Sequence, residues 1–135
     1  MTRRQGPVAF RYATIYVADV GATLAFFEQA FELRAHFVHD SGRYAELDTG
    51  ATKLAFAAHA LAREVVGAPY AETKPERPPP GFEIGLSVDD LDAALARAQR
   101  AGAAVVKPPT RMPWGQTIAY LRDPDGVLLV LVEGA

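Results

Sequence analysis

The residues with the most chemical potential in this chain are two glutamates, two tyrosines, one tryptophan and one arginine. Glu46 and Glu83 lie in extended, alternating segments, Tyr12 and Tyr120 in two others, and Trp114 in Met112-Pro-Trp-Gly115 beside Arg111. Paired carboxylates suit acid–base work or the anchoring of a cation. A lone indole held between Pro113 and Gly115 suits stacking against a planar or apolar ligand. Arg111 could receive an anionic group, although an exposed ion pair would also account for it. The three histidines offer less. His36 and His39 stand three apart on a strand and so point to opposite faces, and His59, at a strand end, reads as a surface group. With no cysteine in the chain, disulfide scaffolding, thiolate catalysis and zinc–thiolate sites are excluded.

The elements that must position these residues come in two similar runs. Tyr12-Ala-Thr-Ile-Tyr-Val-Ala-Asp19-Val20 is echoed by Glu83-Ile-Gly-Leu-Ser-Val-Asp-Asp90-Leu91, with Asp19 and Asp90 71 residues apart. In the first copy residues 10–17 alternate as a strand. Asp19 is placed to cap a helix carrying Val20, Leu24, Phe27 and Phe31 at helical spacing and ending near Glu32. Strands are expected at 34–40, 43–49 and 52–58, with turns at Gly42 and Gly50. A short helix over 60–66 precedes a proline-rich linker, 67–81, too rich in Pro to sustain a ladder. The second copy predicts a strand at 82–88, a helix capped by Asp90 and closed by Gly102, then strands at 103–107, 116–122 and 127–133. Asp123-Pro-Asp-Gly126 forms the tight turn before the last strand.

The order is therefore β-α-β-β-β twice, an α+β chain of two tandem modules whose curled mixed sheets would surround a cavity. Module one spans about 10–60, the linker 61–81 and module two 82–133, all read as one domain over 1–135. The repeat also suggests that Glu46 and Glu83 occupy superposable places, both pointing into that cavity, where two like charges would make an acid–base pair.

Bulk properties narrow the class. Half of the 135 residues are hydrophobic, 22% are charged and the net charge is −2. That balance describes a globular protein and argues against nucleic acid or an anionic membrane as partner. No apolar run approaches a membrane span and the N-terminus lacks a signal-peptide core. A cytoplasmic location is the expectation.

These segments resemble the vicinal oxygen chelate superfamily, which includes glyoxalase I, extradiol dioxygenases, fosfomycin-resistance enzymes and bleomycin-binding proteins. The resemblance rests on Tyr16-Val-Ala-Asp-Val20 leading into Ala25-Phe-Phe27, and on Glu46-Leu-Asp-Thr-Gly50. It continues through Val88-Asp-Asp-Leu91, Ala101-Gly-Ala103 and Arg122-Asp-Pro-Asp-Gly126, covering residues 10–133. Metal-dependent members carry four ligands, which by motif position fall here on Tyr12, Glu46, Glu83 and Val130. Only Glu46 has the family's usual type. The resemblance thus implies a ligand-binding protein without a metal cofactor. Its ligand would be a small aromatic or amphipathic molecule, with antibiotics among the candidates, held by Tyr12, Glu46, Glu83, Trp114, Tyr120 and Arg111. The alternative is a divalent metal on Glu46 and Glu83 serving a glyoxalase-like lyase or isomerase, or a dioxygenase. A homodimer is expected, because small open sheets leave apolar surface to cover, and the linker would let modules pair within or between chains.

Overall fold

The computed structural model describes residues 6–134. Its elements in order are β1 (Ala13–Val17), α1 (Val20–Phe31), β2 (Ala35–Val38), β3 (Tyr44–Leu47) and β4 (Leu54–Ala58). There follow α2 (His59–Val66), β5 (Ile84–Ser87), α3 (Leu91–Arg100), β6 (Ala104–Arg111), β7 (Thr117–Arg122) and β8 (Leu128–Glu133). They form two four-stranded mixed sheets with the same topology, β1-β4-β3-β2 in sheet A and β5-β8-β7-β6 in sheet B. The first strand of each sheet runs parallel to the last and the others pair antiparallel. This is the duplicated β-α-β-β-β architecture expected from the repeat. By packing, the chain divides into two compact units. One is the chain through Leu24 with Leu33–Glu72, and the other is Ala25–Glu32 with the chain from Thr73.

Local chemistry explains the element ends. The Asp19 carboxylate accepts from the Ala22 amide and that of Asp90 from Ala93, each at 3.1 Å, satisfying amides that a helix start leaves unpaired. Glu32 leaves α1 with φ 58°, and Gly102 leaves α3 with φ 115°. The strand 10–17 is shorter than its alternation predicts and begins at Ala13, where pairing with β4 starts. β6 is longer than 103–107 because it passes through Pro108-Pro109 to Arg111. It tolerates the prolines as an edge strand whose register slips between Val105 and Thr110.

In sheet A, Ile15, Val17, Ala45, Leu47 and Phe56 are buried, whereas Thr14, Tyr16, Tyr44 and Glu46 on the alternating positions are partly open. In sheet B, Leu121, Leu129 and Leu131 are fully buried. The helix that packs against this sheet, α3, buries Leu91, Leu95 and Ala98.

The second half of the linker is not a loose tether. The Arg122 guanidinium donates to the carbonyls of Pro75 (3.1 Å), Lys74 (3.0 Å) and Gly126 (2.9 Å), fixing residues 74–75 onto the β7–β8 turn. At Gly126, φ is 95° and a Cβ would meet the Lys74 carbonyl carbon at 2.7 Å, so only glycine fits. Asp123 is almost fully buried in that turn and accepts from the Val127 amide at 2.9 Å.

Candidate functional site

Strand register decides which side chains share a face. In sheet A, Thr14, Ala55, Glu46 and Phe37 form one cross-strand row, and Tyr16, Ala57 and Tyr44 form the next row of the same face. Tyr44 and Glu46 are two apart on β3 and therefore adjacent on this face. The Tyr44 hydroxyl donates to Glu46 Oε2 at 2.9 Å, and Lys53 Nζ lies 3.3 Å from Oε1. The Glu46 side chain is 15% exposed, so both of its oxygens are engaged in a half-dry setting. Burial pushes the Tyr44 phenol up to about 12, helped by the Glu46 hydrogen bond and by Tyr12 nearby. Tyr44 therefore stays protonated and keeps donating. Tyr12 itself is 45% exposed at the mouth of the face.

The corresponding row of sheet B is Gly85, Val130, Tyr120 and Lys107. Here the Tyr120 hydroxyl donates to Glu83 Oε1 at 2.9 Å in an exposed setting. That bond, with smaller contributions from burial and from the Glu83 charge, raises the Tyr120 phenol.

These registers correct one expectation. Glu46 and Glu83 are not superposable: the counterpart of Glu46 is Tyr120, and that of Glu83 is Tyr12, since each precedes the first residue of its sheet's leading strand. The repeat has kept an acid and a phenol at the same two places and exchanged them. Each unit holds its own hydrogen-bonded acid–phenol pair: the structure brings Glu46 together with Tyr44, and Glu83 with Tyr120. Tyr44 and Lys53 were missed in the sequence. The two-residue spacing of Tyr44 from Glu46 was the available signal for the first, whereas Lys53 reaches Glu46 only through the hairpin.

Arg111 and Trp114 sit at the far end of the β6–β7 hairpin. Arg111 pairs with Thr117 in the ladder, three residues along β7 from Tyr120, about 10 Å at strand rise. Trp114 is 66% exposed, and its indole N–H donates to Gln116 Oε1 at 2.9 Å. The loop thus presents a broad aromatic face to solvent.

The residues at the family's ligand positions do not fit a first-row metal ion. Such an ion in a catalytic site needs about three N/O donors around an open position. Val130 offers no donor and is 5% exposed. Glu46 is already committed to Tyr44 and Lys53, Glu83 to Tyr120, and Tyr12 offers only a phenol oxygen. Among the described residues no three of His, Cys, Asp and Glu are grouped to hold a metal.

A second polar cluster in the first unit went unread in the sequence. His59 is not a surface group: its side chain is 12% exposed, Nδ1 lies 2.7 Å from the Tyr70 hydroxyl, and Nε2 lies 3.9 Å from Glu72. Arg63 closes the network through Glu72 and stands over the Tyr70 ring at 5.8 Å. Tyr70 meets Tyr16 edge-on at 5.0 Å, so this network pins residues 70–72 beside the Tyr16 end of the Glu46 face.

Comparison with known proteins agrees with this architecture. The sequence profile of the Glyoxalase/Bleomycin resistance protein/Dioxygenase superfamily matches residues 9–131. The uncharacterized protein YraH of Bacillus subtilis (strain 168) is 25% identical over 120 residues, covering 88% of this chain and 93% of that protein. A glyoxalase/bleomycin resistance protein/dioxygenase family enzyme from Burkholderia phytofirmans PsJN superposes with TM-score 0.73 at 26% identity, over 90% of this chain and 95% of that one. The fosfomycin resistance protein FosX from Mesorhizobium loti shares the fold, with TM-score 0.67 at 17% identity over 94% and 92% of the two chains. No helix of the described residues is long and apolar enough to cross a membrane. With matching topology in both sheets and a profile spanning nearly the whole sequence, this chain belongs to the glyoxalase/bleomycin resistance protein/dioxygenase superfamily.

Proposed function

We propose that the protein binds a small aromatic or amphipathic molecule, with antibiotics among the candidates, and does so without a metal ion. The observation that carries this reading is the acid–phenol pair in each sheet, Tyr44 with Glu46 and Tyr120 with Glu83, both at 2.9 Å. In each pair the phenol's one proton is spent on the carboxylate. Phenol and carboxylate lone pairs remain as acceptors, so the groups left over recognise donors. Aromatic rings at Tyr12 and Trp114 supply contact area for planar groups, and Arg111 is available to an anionic substituent. Metal-assisted lyase, isomerase or dioxygenase chemistry is disfavoured by the donor sets described above.

A homodimer is part of the same proposal. Edge strands β2 and β6 leave Phe37, Val38, Val105 and Val106 exposed, a combination that soluble proteins usually cover. A light-scattering mass of one chain would contradict it.

The functional test is a thermal-shift and Trp114-fluorescence screen against glycopeptide, aminoglycoside and planar aromatic antibiotics. At least one compound should raise the melting temperature of the wild type, with the shift reduced in Glu46→Gln and Glu83→Gln. No response to any compound, or equal responses in the variants, would overturn the reading. Elemental analysis of protein purified without chelators should find no stoichiometric Ni, Zn, Mn or Fe.

A further inference from the structure

Gly85 occupies the middle of β5, on the same face as Tyr120 and Val130, and nothing in the fold demands a glycine there. Its φ lies outside the left-handed region, and an added Cβ would meet only Val130 Cγ1, at an ordinary 3.5 Å. Glycine in a strand interior forfeits both conformational stability and side-chain packing, so a glycine that neither turns the chain nor relieves crowding is kept for the space above it. That space is bounded along the strand by Glu83 and Ser87, which project to the same side and are likewise exposed. Across the strands Val130, its register partner, gives an apolar side to the space. The Tyr120–Glu83 hydrogen bond crosses β8 and raises a polar wall beside it.

We infer that Gly85 is a specificity-determining residue: the notch it leaves accepts the face of a flat ring, whose hydrogen-bond-donating substituent is read by Glu83 and Tyr120. This rests on the ligand-binding reading above and names the class of ligand for the second sheet, an aryl amidine, aryl amine or phenol. Donors are selected because the wall is acceptor-only. The Tyr120 proton is held by Glu83, and the raised phenol keeps it there through neutral pH. Flatness is selected because the notch is the room of one absent side chain, with Val130 Cγ1 3.5 Å from where its Cβ would stand.

The test uses the full chain with nitrogen-15 labelling and three probes: benzamidine (flat, donor), benzoate (flat, acceptor only) and cyclohexanecarboxamidine (puckered, donor). Benzamidine should shift the amides of Gly85, Val130 and Tyr120 and bind about tenfold or more tightly than either of the other two, as expected for one mismatched polar or steric contact. Gly85→Val should weaken benzamidine about tenfold while leaving the melting temperature unchanged or higher, since a β-branched residue favours a strand. A structural glycine would behave oppositely, losing stability on substitution. Should Gly85→Val also lower the melting temperature, Gly85→Ala decides, because its single methyl makes only the 3.5 Å contact. Weakened binding at unchanged stability supports the notch, and unchanged binding overturns it. Binding that ignores both Gly85 variants, or that shifts other amides, sinks the notch but leaves the ligand-binding reading intact. If neither benzamidine nor any antibiotic of the screen binds, both fall.

Discussion

The two sheets share topology and row-by-row register yet differ in what they do with an acid and a phenol. In sheet A the acid stands on the third strand, 15% exposed and held by Tyr44 and Lys53. The residue between it and Thr14 in the row, Ala55, is fully buried. In sheet B the phenol has taken the third-strand place, its acid Glu83 is exposed, and the row opens at Gly85. Duplication conserved the frame while the contents exchanged positions. Sheet A has therefore spent its polar groups on one another, and sheet B has kept its own near solvent. The same contrast runs through the hairpin turns. Gly50 has φ 85° with nothing near its absent Cβ, while Gly126 has φ 95° and backbone of the 74–75 segment within 2.8 Å.

The turns offer the strongest way to sharpen this comparison. Gly126→Ala should cost about 3 kcal/mol or more, because a left-handed alanine and a backbone clash coincide. Gly50→Ala should cost only about 1–2 kcal/mol for the backbone conformation alone. Urea unfolding of the two variants checks the ordering, and equal losses would show that the Arg122-held segment can move away.

The next effect lies in the same turn. Burial raises the Asp123 carboxyl to about 7 from the ordinary 3.8. A carboxyl that holds its proton more tightly folded than unfolded contributes its full stability below about pH 4 and loses it as pH rises through about 7. Wild-type stability should accordingly fall by about 2–4 kcal/mol across that window. Asp123→Asn retains an acceptor for the Val127 amide, removes the charge and should flatten the profile.

A smaller difference should separate the two phenols. Tyr44→Phe strips a half-buried carboxylate of its donor and should destabilise by about 1 kcal/mol. Tyr120→Phe, whose partner is solvated, should melt with the wild type. Comparable losses would break the claim that only the first pair is structural.

Much of this was legible in the residues. Asp19 and Asp90 cap as their types predict, the turn glycines adopt positive φ, and alternation located all eight strands within a few residues. What escaped was anything set by cross-strand register. The repeat suggested that Glu46 and Glu83 occupy like places, and only the ladder shows that Glu46 aligns with Tyr120. Lys53, His59 and Arg122 find their partners across loops of 7, 13 and 47 to 48 positions, distances over which local pattern carries no information. The strand expected over 103–107 runs on through Pro108-Pro109 to Arg111, because an edge strand tolerates proline and only the sheet order shows that it is the edge.

Ligand binding beside the Tyr120–Glu83 pair is tested most directly by an amide chemical-shift map of the wild-type protein titrated with the strongest binder from the antibiotic screen. Perturbations should centre on residues 83–85 and 120, and Glu83→Gln should erase them. A saturable binder whose perturbations avoid all of these positions would contradict it.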